Sequence, residues 1–272
     1  MPSVESACRG RCSPLKLLTW NVNARTSRQA EQAAFVADRQ PDVVALQEVP
    51  DSRLERWQAD LAACGLASFL SSQPDEPRRG GRGLILAAHA RMGLLDRHEH
   101  VLLSARVVHS GREVEIHNAH VPNGSVNGWR KVEALELIHG RLARSATDLR
   151  VLCGDLNTPR IERPDGTVVT WGQTRSGRLR TDRGARWDAA ERSVILGLGE
   201  HGMVDVFRAV HGYAVAERSW VWRRKGAEGG YRLDHVIASP ELGALSAHYL
   251  HEGRCSGLSD HAPLEVVFDP ER

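Results

Sequence analysis

The residues of this chain that could do chemistry are polar groups standing where apolar runs stop. They are Asn21, Glu48, His120 with Asn123, Asp155 with Asn157, Asp234, and Asp260 with His261. The densest stretch is Val151-Leu152-Cys153-Gly154-Asp155-Leu156-Asn157-Thr158-Pro159. Leu149 to Cys153 reads as a short buried strand, which Gly154 ends and Pro159 keeps from continuing. Period-two alternation puts Asp155 and Asn157 on one side. A carboxylate beside an amide could hold a phosphate and its nucleophile near a hard metal ion. Asp and Asn are also ordinary turn residues, so this stretch alone does not decide. Glu48 follows the apolar run Val43-Val44-Ala45-Leu46 and Gln47. Its desolvation is costly unless a metal or an Arg pairs with it. Acid, amide or imidazole at six strand ends makes a shared cleft the economical reading. Oxygen donors dominate, which favours Mg²⁺, with Mn²⁺ as a substitute, over zinc. The five cysteines, Cys8, Cys12, Cys64, Cys153 and Cys255, are odd in number and scattered, so no disulfide framework is expected.

The elements that must position these groups follow from periodicity. Strands are expected over Lys16–Trp20, Asp42–Gln47, Leu84–Ala88, Val101–Val108, Glu113–Ala119, Met203–Phe207, Ser219–Trp222, around Leu233–Ala238, and Leu264–Phe268. Helices are expected over Ser27–Gln40, Ser52–Cys64, Trp129–Arg144 and Trp187–Leu198. Ser27 is the expected N-cap of the first helix, with Ala30, Ala33, Ala34 and Ala37 facing inward. Residues 1–14 read as a flexible tail and 15–272 as a single catalytic domain. The chain has 272 residues, 41% hydrophobic, enough for a sizeable core. A net charge of +2 is too near neutral to imply nucleic acid by itself. No apolar run is long enough to span a bilayer, and Met1–Pro14 lacks the apolar middle of a secretory signal. A cytoplasmic, monomeric protein without a membrane partner is expected.

Arg160 to Arg186 is the least regular segment, with Arg178 and Arg180 among its arginines and Trp171 and Trp187 in or beside it. Basic residues interleaved with aromatics suit a phosphate backbone and stacked bases. A solvated surface loop is the alternative.

Thr19-Trp20-Asn21, Gln47-Glu48, Val121-Pro122-Asn123-Gly124, Gly154-Asp155-Leu156-Asn157, Arg232-Leu233-Asp234 and Ser259-Asp260-His261-Ala262-Pro263 stand in the order of the endonuclease/exonuclease/phosphatase superfamily. The chain resembles that superfamily from Lys16 to Phe268. Through Gly202–Arg208 and Tyr231–Leu242 it is most similar to the exodeoxyribonuclease III class of abasic-site endonucleases. The resemblance implies a four-layer α/β sandwich, two facing mixed β-sheets flanked by helices, and metal-dependent phosphodiester hydrolysis on duplex DNA at abasic sites or 3′ ends. It makes Glu48 the main metal ligand, with Asn21 and Asp260 near the same ion. Asp155 matches the residue that activates water, Asn157 its neighbour, His261 the imidazole beside the scissile phosphate, and Asp234 the carboxylate that orients it. Asn123 matches a phosphate-contacting amide, and Trp220, Tyr231 and Leu233 fall where the class walls its sugar pocket. Ordinary packing is the alternative for those three. One position departs: His120 stands where the nuclease class usually has Tyr. Imidazole there is more like deoxyribonuclease I or the phosphatase branches, where it can act as an acid. The alternatives are therefore a phosphoesterase of an inositol phosphate or phospholipid headgroup, or a general endonuclease.

Overall fold

The computed structural model describes residues 13–74, 79–125, 128–144 and 149–269. Most of the expected 1–14 tail, and 270–272, lie outside the described residues. In chain order the strands are β1 Leu15–Asn21, β2 Val43–Pro50, β3 Ser68–Ser71, β4 Arg82–Ala88, β5 Met92–His98, β6 Leu102–His109, β7 Arg112–His120, β8 Leu149–Asp155, β9 Ile161–Glu162, β10 Val168–Val169, β11 Val204–Asp205, β12 Trp220–Arg224, β13 Ala227–Tyr231, β14 Asp234–Ala238, β15 Ala244–Tyr249 and β16 Leu264–Phe268. The helices are α1 Gln29–Arg39, α2 Leu54–Ala63, α3 Arg130–Leu142, α4 Gly184–Ile195, α5 Val206–His211 and α6 His251–Cys255.

Two six-stranded sheets form the centre, ordered β15-β16-β1-β2-β4-β3 and β11-β14-β8-β7-β6-β5. Each is antiparallel except for one pair, β1 with β2 and β7 with β8. A parallel pair needs a crossover, and here α1 and α3 supply it. The central strands are apolar on both faces, so their sequences read as continuous hydrophobic runs. Leu17, Val43, Ala45, Val151, Cys153 and Val236 belong to one core cluster with residues of both sheets. Their neighbours point outward: Leu18, Trp20, Val44 and Leu46 meet Val36 of α1 and Trp57 and Leu61 of α2. Leu152 meets Val132, Leu135 and Ile138 of α3 and Val194 of α4. The result is the expected sandwich of helices, sheet, sheet, helices.

Several local expectations are corrected. The first α-helix begins at Gln29, after a 3₁₀ turn at Thr26–Arg28, and no side chain caps it. Its inner face is Gln29, Gln32, Ala33 and Val36, while Ala30 and Ala34 are exposed. Gln32 turns inward because its amide donates to the carbonyls of Val22 (3.0 Å) and Leu258 (2.8 Å). The strand expected to stop at Gly154 runs on to Asp155. Val206 and Phe207 start a helix whose N-cap Asp205 accepts from the Arg208 N–H. The segment 160–186 carries the β9–β10 hairpin and the start of α4.

Candidate active site

The sheet registers gather the polar strand ends. Parallel pairing sets the C-terminal ends of β1 and β2 side by side, with Asn21 opposite Gln47. In the other sheet it sets His120 opposite Asp155. Asp155 also faces Asp234, the first residue of antiparallel β14. Strand β16 pairs with β1, Leu264 opposite Thr19, so the segment carrying Asp260 and His261 arrives beside Asn21. Ligand sites of α/β proteins gather at such carboxyl ends.

Two backbone details make the arrangement possible. The β2–β4 register shifts between Leu46 and Val49, and Glu48 sits there at φ 54°. Such a bulge re-aims a side chain out of the ladder. Asn118 in the opposite sheet secures it, donating to the Leu46 carbonyl (3.0 Å) and the Ile85 carbonyl (2.8 Å) and accepting from Gln47 Nε2 (2.8 Å). Gly154 has φ 130°, and a Cβ there would meet the Ala119 carbonyl oxygen at 2.0 Å. Only glycine lets β8 lie that close to β7.

The side chains form one connected set. Asn21 Nδ2 donates to Glu48 Oε1 (3.1 Å) and Asp155 Oδ2 (2.9 Å). Its own oxygen accepts the Asn23 N–H (2.9 Å). Asn21 thus presents its amide to two carboxylates and spaces them. Asp155 Oδ1 accepts the Asn157 N–H (2.9 Å), and Oδ2 accepts Asn157 Nδ2 (3.2 Å). His261 Nδ1 lies 2.8 Å from Asp234 Oδ2, and its Nε2 lies 3.8 Å from Asp155 Oδ2. His120 Nε2 stands between Glu48 Oε1 (3.6 Å) and Asp155 Oδ2 (3.9 Å). Arg82 pairs with Glu48. Trp220 Nε1 donates to Asp260 Oδ2 (2.9 Å).

Burial and neighbours set the charges. Burial pushes the Asp155 carboxyl up to about 6, against the pull of His261 and with the help of Asp234. Burial would lower His261, but Asp234 and Asp155 outweigh it and hold the imidazole up at about 10. Burial would raise Asp234, but His261 outweighs it and keeps that carboxyl below its usual range. Glu48 is likewise held low, because His120, Asn21 and Arg82 outweigh its burial. The set is therefore an ionised Asp234–imidazolium pair facing a carboxylate poised to take a proton.

A divalent cation fits the donors beside it. Glu48 and Asp260 line the same cleft, and Asp260 Oδ1 is buried without a hydrogen-bond partner. Asp155, Asp234 and His261 also bring ligand atoms within 4.8 Å of one another. The Asp234–His261 hydrogen bond already occupies that trio, so Glu48 and Asp260 suit the ion better.

The cleft has a volume of about 900 Å³. Asn123 lies on its rim, its side-chain oxygen holding the Ser125 N–H (2.8 Å). Trp220 and Tyr231 stack 6.2 Å apart at 8°, and Trp171 meets Tyr231 edge-on at 4.9 Å. Leu233 completes this wall. Arg180 lines the cleft and pairs with Asp182, whereas Arg178 is exposed and does not line it.

Four buried residues outside the sequence expectations hold the set together. Lys131 Nζ donates to the Asn157 carbonyl (2.7 Å) and pairs with Glu191 Oε1 (2.9 Å). Glu191 also accepts from Thr158 Oγ1 (2.6 Å), Trp187 Nε1 (2.7 Å) and the Trp171 N–H (2.8 Å). Ser259 Oγ donates to the Asn21 carbonyl (2.6 Å) and accepts the His261 N–H (3.1 Å). Ser219 Oγ accepts the N–H groups of Leu233 (2.9 Å) and Asp234 (3.1 Å). A serine beside a motif is too common to flag. Nothing in the helix pattern around Lys131 marks it as buried.

The chain is similar to known proteins over most of its length. The endonuclease/exonuclease/phosphatase family matches residues 18–261. Exodeoxyribonuclease III of Haemophilus influenzae is 24% identical over 276 residues, covering 93% of this chain and 100% of that protein. An AP endonuclease from Archaeoglobus fulgidus superposes with a TM-score of 0.68 at 24% identity, covering 94% of this chain and 99% of that one. A 3′-5′ exonuclease from Neisseria meningitidis gives 0.64 at 22% identity, covering 94% and 100%. With the match spanning every polar strand end, the chain belongs to the endonuclease/exonuclease/phosphatase family of divalent-metal-dependent phosphoester hydrolases.

Proposed function

We propose that this protein is a Mg²⁺-dependent DNA repair nuclease that cleaves duplex DNA at abasic sites or 3′ ends. The observation that carries the reading is the cleft itself: an acidic floor of Glu48, Asp155 and Asp260 under a rim of Arg79, Arg130, Arg180 and Arg183 with Trp171 and Tyr231. A rim that is basic and aromatic suits a polyanion with stacked bases. The name of the Haemophilus relative supports the same substrate. On this reading the protein works as a cytoplasmic monomer. Among the described residues no helix is long and apolar enough to cross a membrane.

In this mechanism Asp155 accepts a proton from the attacking water, steered by the two hydrogen bonds from Asn157. The water oxygen bonds to phosphorus as the bond to the leaving oxygen breaks. Imidazolium at His261, kept charged by Asp234, offsets negative charge gathering on the phosphoryl oxygens. Asn123 and the arginines of the rim hold flanking phosphates. Glu48 and Asp260 would hold the cation, which supplies Lewis-acid charge when bound. An apolar wall of Trp220, Tyr231 and Leu233 would admit a sugar that lacks its base more readily than an intact nucleotide.

A second reading, a phosphoesterase of a small or lipid substrate, is favoured by one observation. His120 stands within 4 Å of both Glu48 and Asp155, where an acid for a phosphate monoester could serve. One assay separates the two. A duplex with a single abasic analogue, an intact duplex and a panel of phosphate monoesters are incubated with Mg²⁺ and after chelation. The nuclease reading expects Mg²⁺-dependent cleavage of the abasic duplex. Preference for a monoester would move the assignment to the second reading, and full activity after exhaustive chelation would sink both.

A further inference from the structure

Behind Tyr231 lies a second cleft of about 410 Å³, lined by Pro159–Glu162, Pro164, Arg175, Arg208, Tyr213–Arg218 and Gly230–Arg232. Tyr231 lines both clefts and so stands where they adjoin. Five of the lining residues are arginines. Two are neutralised inside the fold. Arg208 pairs with Glu162 (2.8 Å), and Arg232 pairs with Glu162 (2.6 Å) and Asp205 (2.6 Å). The other acid in the lining, Glu217, is engaged by His251 (3.0 Å) and by the Arg218 backbone N–H (2.6 Å). Arg160, Arg175 and Arg218 are left. Arg160 donates to the Gln173 carbonyl (2.9 Å) and lies over Trp171 (5.4 Å). None of the three guanidiniums forms an ion pair among the described residues, although Arg218 contributes to the field that lowers Glu228.

A concave surface with three guanidiniums outside any ion pair attracts an anion, and Arg is suited to phosphate by its planar fork of donors. The occupant is indicated by continuity. The partition between the clefts is aromatic on the catalytic side, where Tyr231 meets Trp171 and Trp220. A strand with its scissile phosphate over Asp155 and His261 could therefore pass Tyr231 and lay its next phosphates among these arginines. We propose that the second cleft is a subsite for the phosphodiester backbone of the substrate strand on one side of the cleavage point, held by Arg160, Arg175 and Arg218. This rests on the nuclease reading and adds to it a sidedness: the enzyme needs nucleic acid on that flank.

The test uses full-length protein and Arg175→Ala/Arg218→Ala, two exposed positions. The abasic duplex is offered with long flanks, and with either flank cut back to the lesion. Binding is read at several salt concentrations and cleavage with Mg²⁺. Wild type should bind the duplex lacking the critical flank roughly fivefold to tenfold more weakly than the full one. The double variant should bind the full duplex as wild type binds the shortened one, and its salt slope should fall by about 2 units. Equal affinity and slope in variant and wild type, on every duplex, would overturn the subsite while leaving the nuclease intact. Loss of affinity by the variant on both shortened duplexes alike would also overturn it, since that is a general charge effect. Failure of wild type to bind or cleave any duplex would overturn the subsite together with the reading beneath it.

Discussion

At the scale of single residues, the proposed mechanism depends on two opposed protonation states. Asp155 must be ionised to take a proton, and burial pushes it up to about 6. His261 must be charged, and Asp234 helps hold it near 10. The log of kcat/KM should therefore rise with pH below about 6, level off, and fall on an alkaline limb. Saturating divalent cation should move the acid limb lower, because positive charge favours the carboxylate. In Asp234→Asn the charge that raises His261 is gone, so the alkaline limb should shift to lower pH. Asp155→Asn should cost roughly 10²–10⁴ in kcat at every pH, the scale of lost general-base help. Steady-state pH profiles of the three proteins decide this, and an alkaline limb that stays put in Asp234→Asn would break the proposed pairing.

At the scale of elements, the site is held from behind by α3 and α4. Lys131 on α3 reaches the Asn157 carbonyl, and Glu191 on α4 holds Lys131, Thr158 and the Trp171 N–H. Burial lowers the pKa of Lys131, with Glu191 opposing that shift. Asn157 at φ 51° orients Asp155, so the two helices set the angle of the proposed base. Lys131→Met should lower kcat by roughly 10–100-fold with KM little changed, the range for loss of an orienting partner. Stability should drop by about 3–5 kcal/mol, since a buried carboxylate loses its ion partner. Urea unfolding and steady-state kinetics on the folded variant check both; unchanged kcat would reduce the pair to a structural role. This layer was largely hidden in the sequence, because Lys131 meets Glu191 across 60 residues and nothing local marks the pair. The strand ends were legible for the opposite reason. Strands apolar on both faces make each polar terminus stand out, as Glu48 does after Val43–Leu46. Strands β3, β5 and β15 were not legible: as edges or neighbours of edges they keep many exposed or half-buried residues and lose the apolar run. The inward face of α1 was only partly legible because two polar residues, Gln29 and Gln32, are buried beside Ala33 and Val36.

At the scale of the whole molecule, stability is tied to a buried ionic network beneath the site. Arg232 and Arg208 share Glu162, Arg232 also binds Asp205, and Asp205 lies 3.3 Å from His235. Arg232 and its companions outweigh burial and hold Glu162 down at about 2, with Asp205 far below its usual range. Depressed carboxyl pKa values give stability that is complete above about pH 4.5 and is lost as pH falls through the folded values. Unfolding free energy should therefore decline from about pH 4.5 toward 2. Glu162→Gln should be less stable at neutral pH by about 3–5 kcal/mol and decline less steeply in acid. Chemical denaturation across that pH range tests it, and parallel curves for both proteins would refute the assignment. The topology also orders events during synthesis. Strand β1 pairs with β16, which is made much later, and His261 comes only with the segment that leads into β16. A chain made only as far as β14 thus carries Glu48, His120, Asp155 and Asp234 but not His261. If the protein is the nuclease proposed here, a chain lacking the segment before β16 lacks the imidazolium that offsets charge on the phosphate.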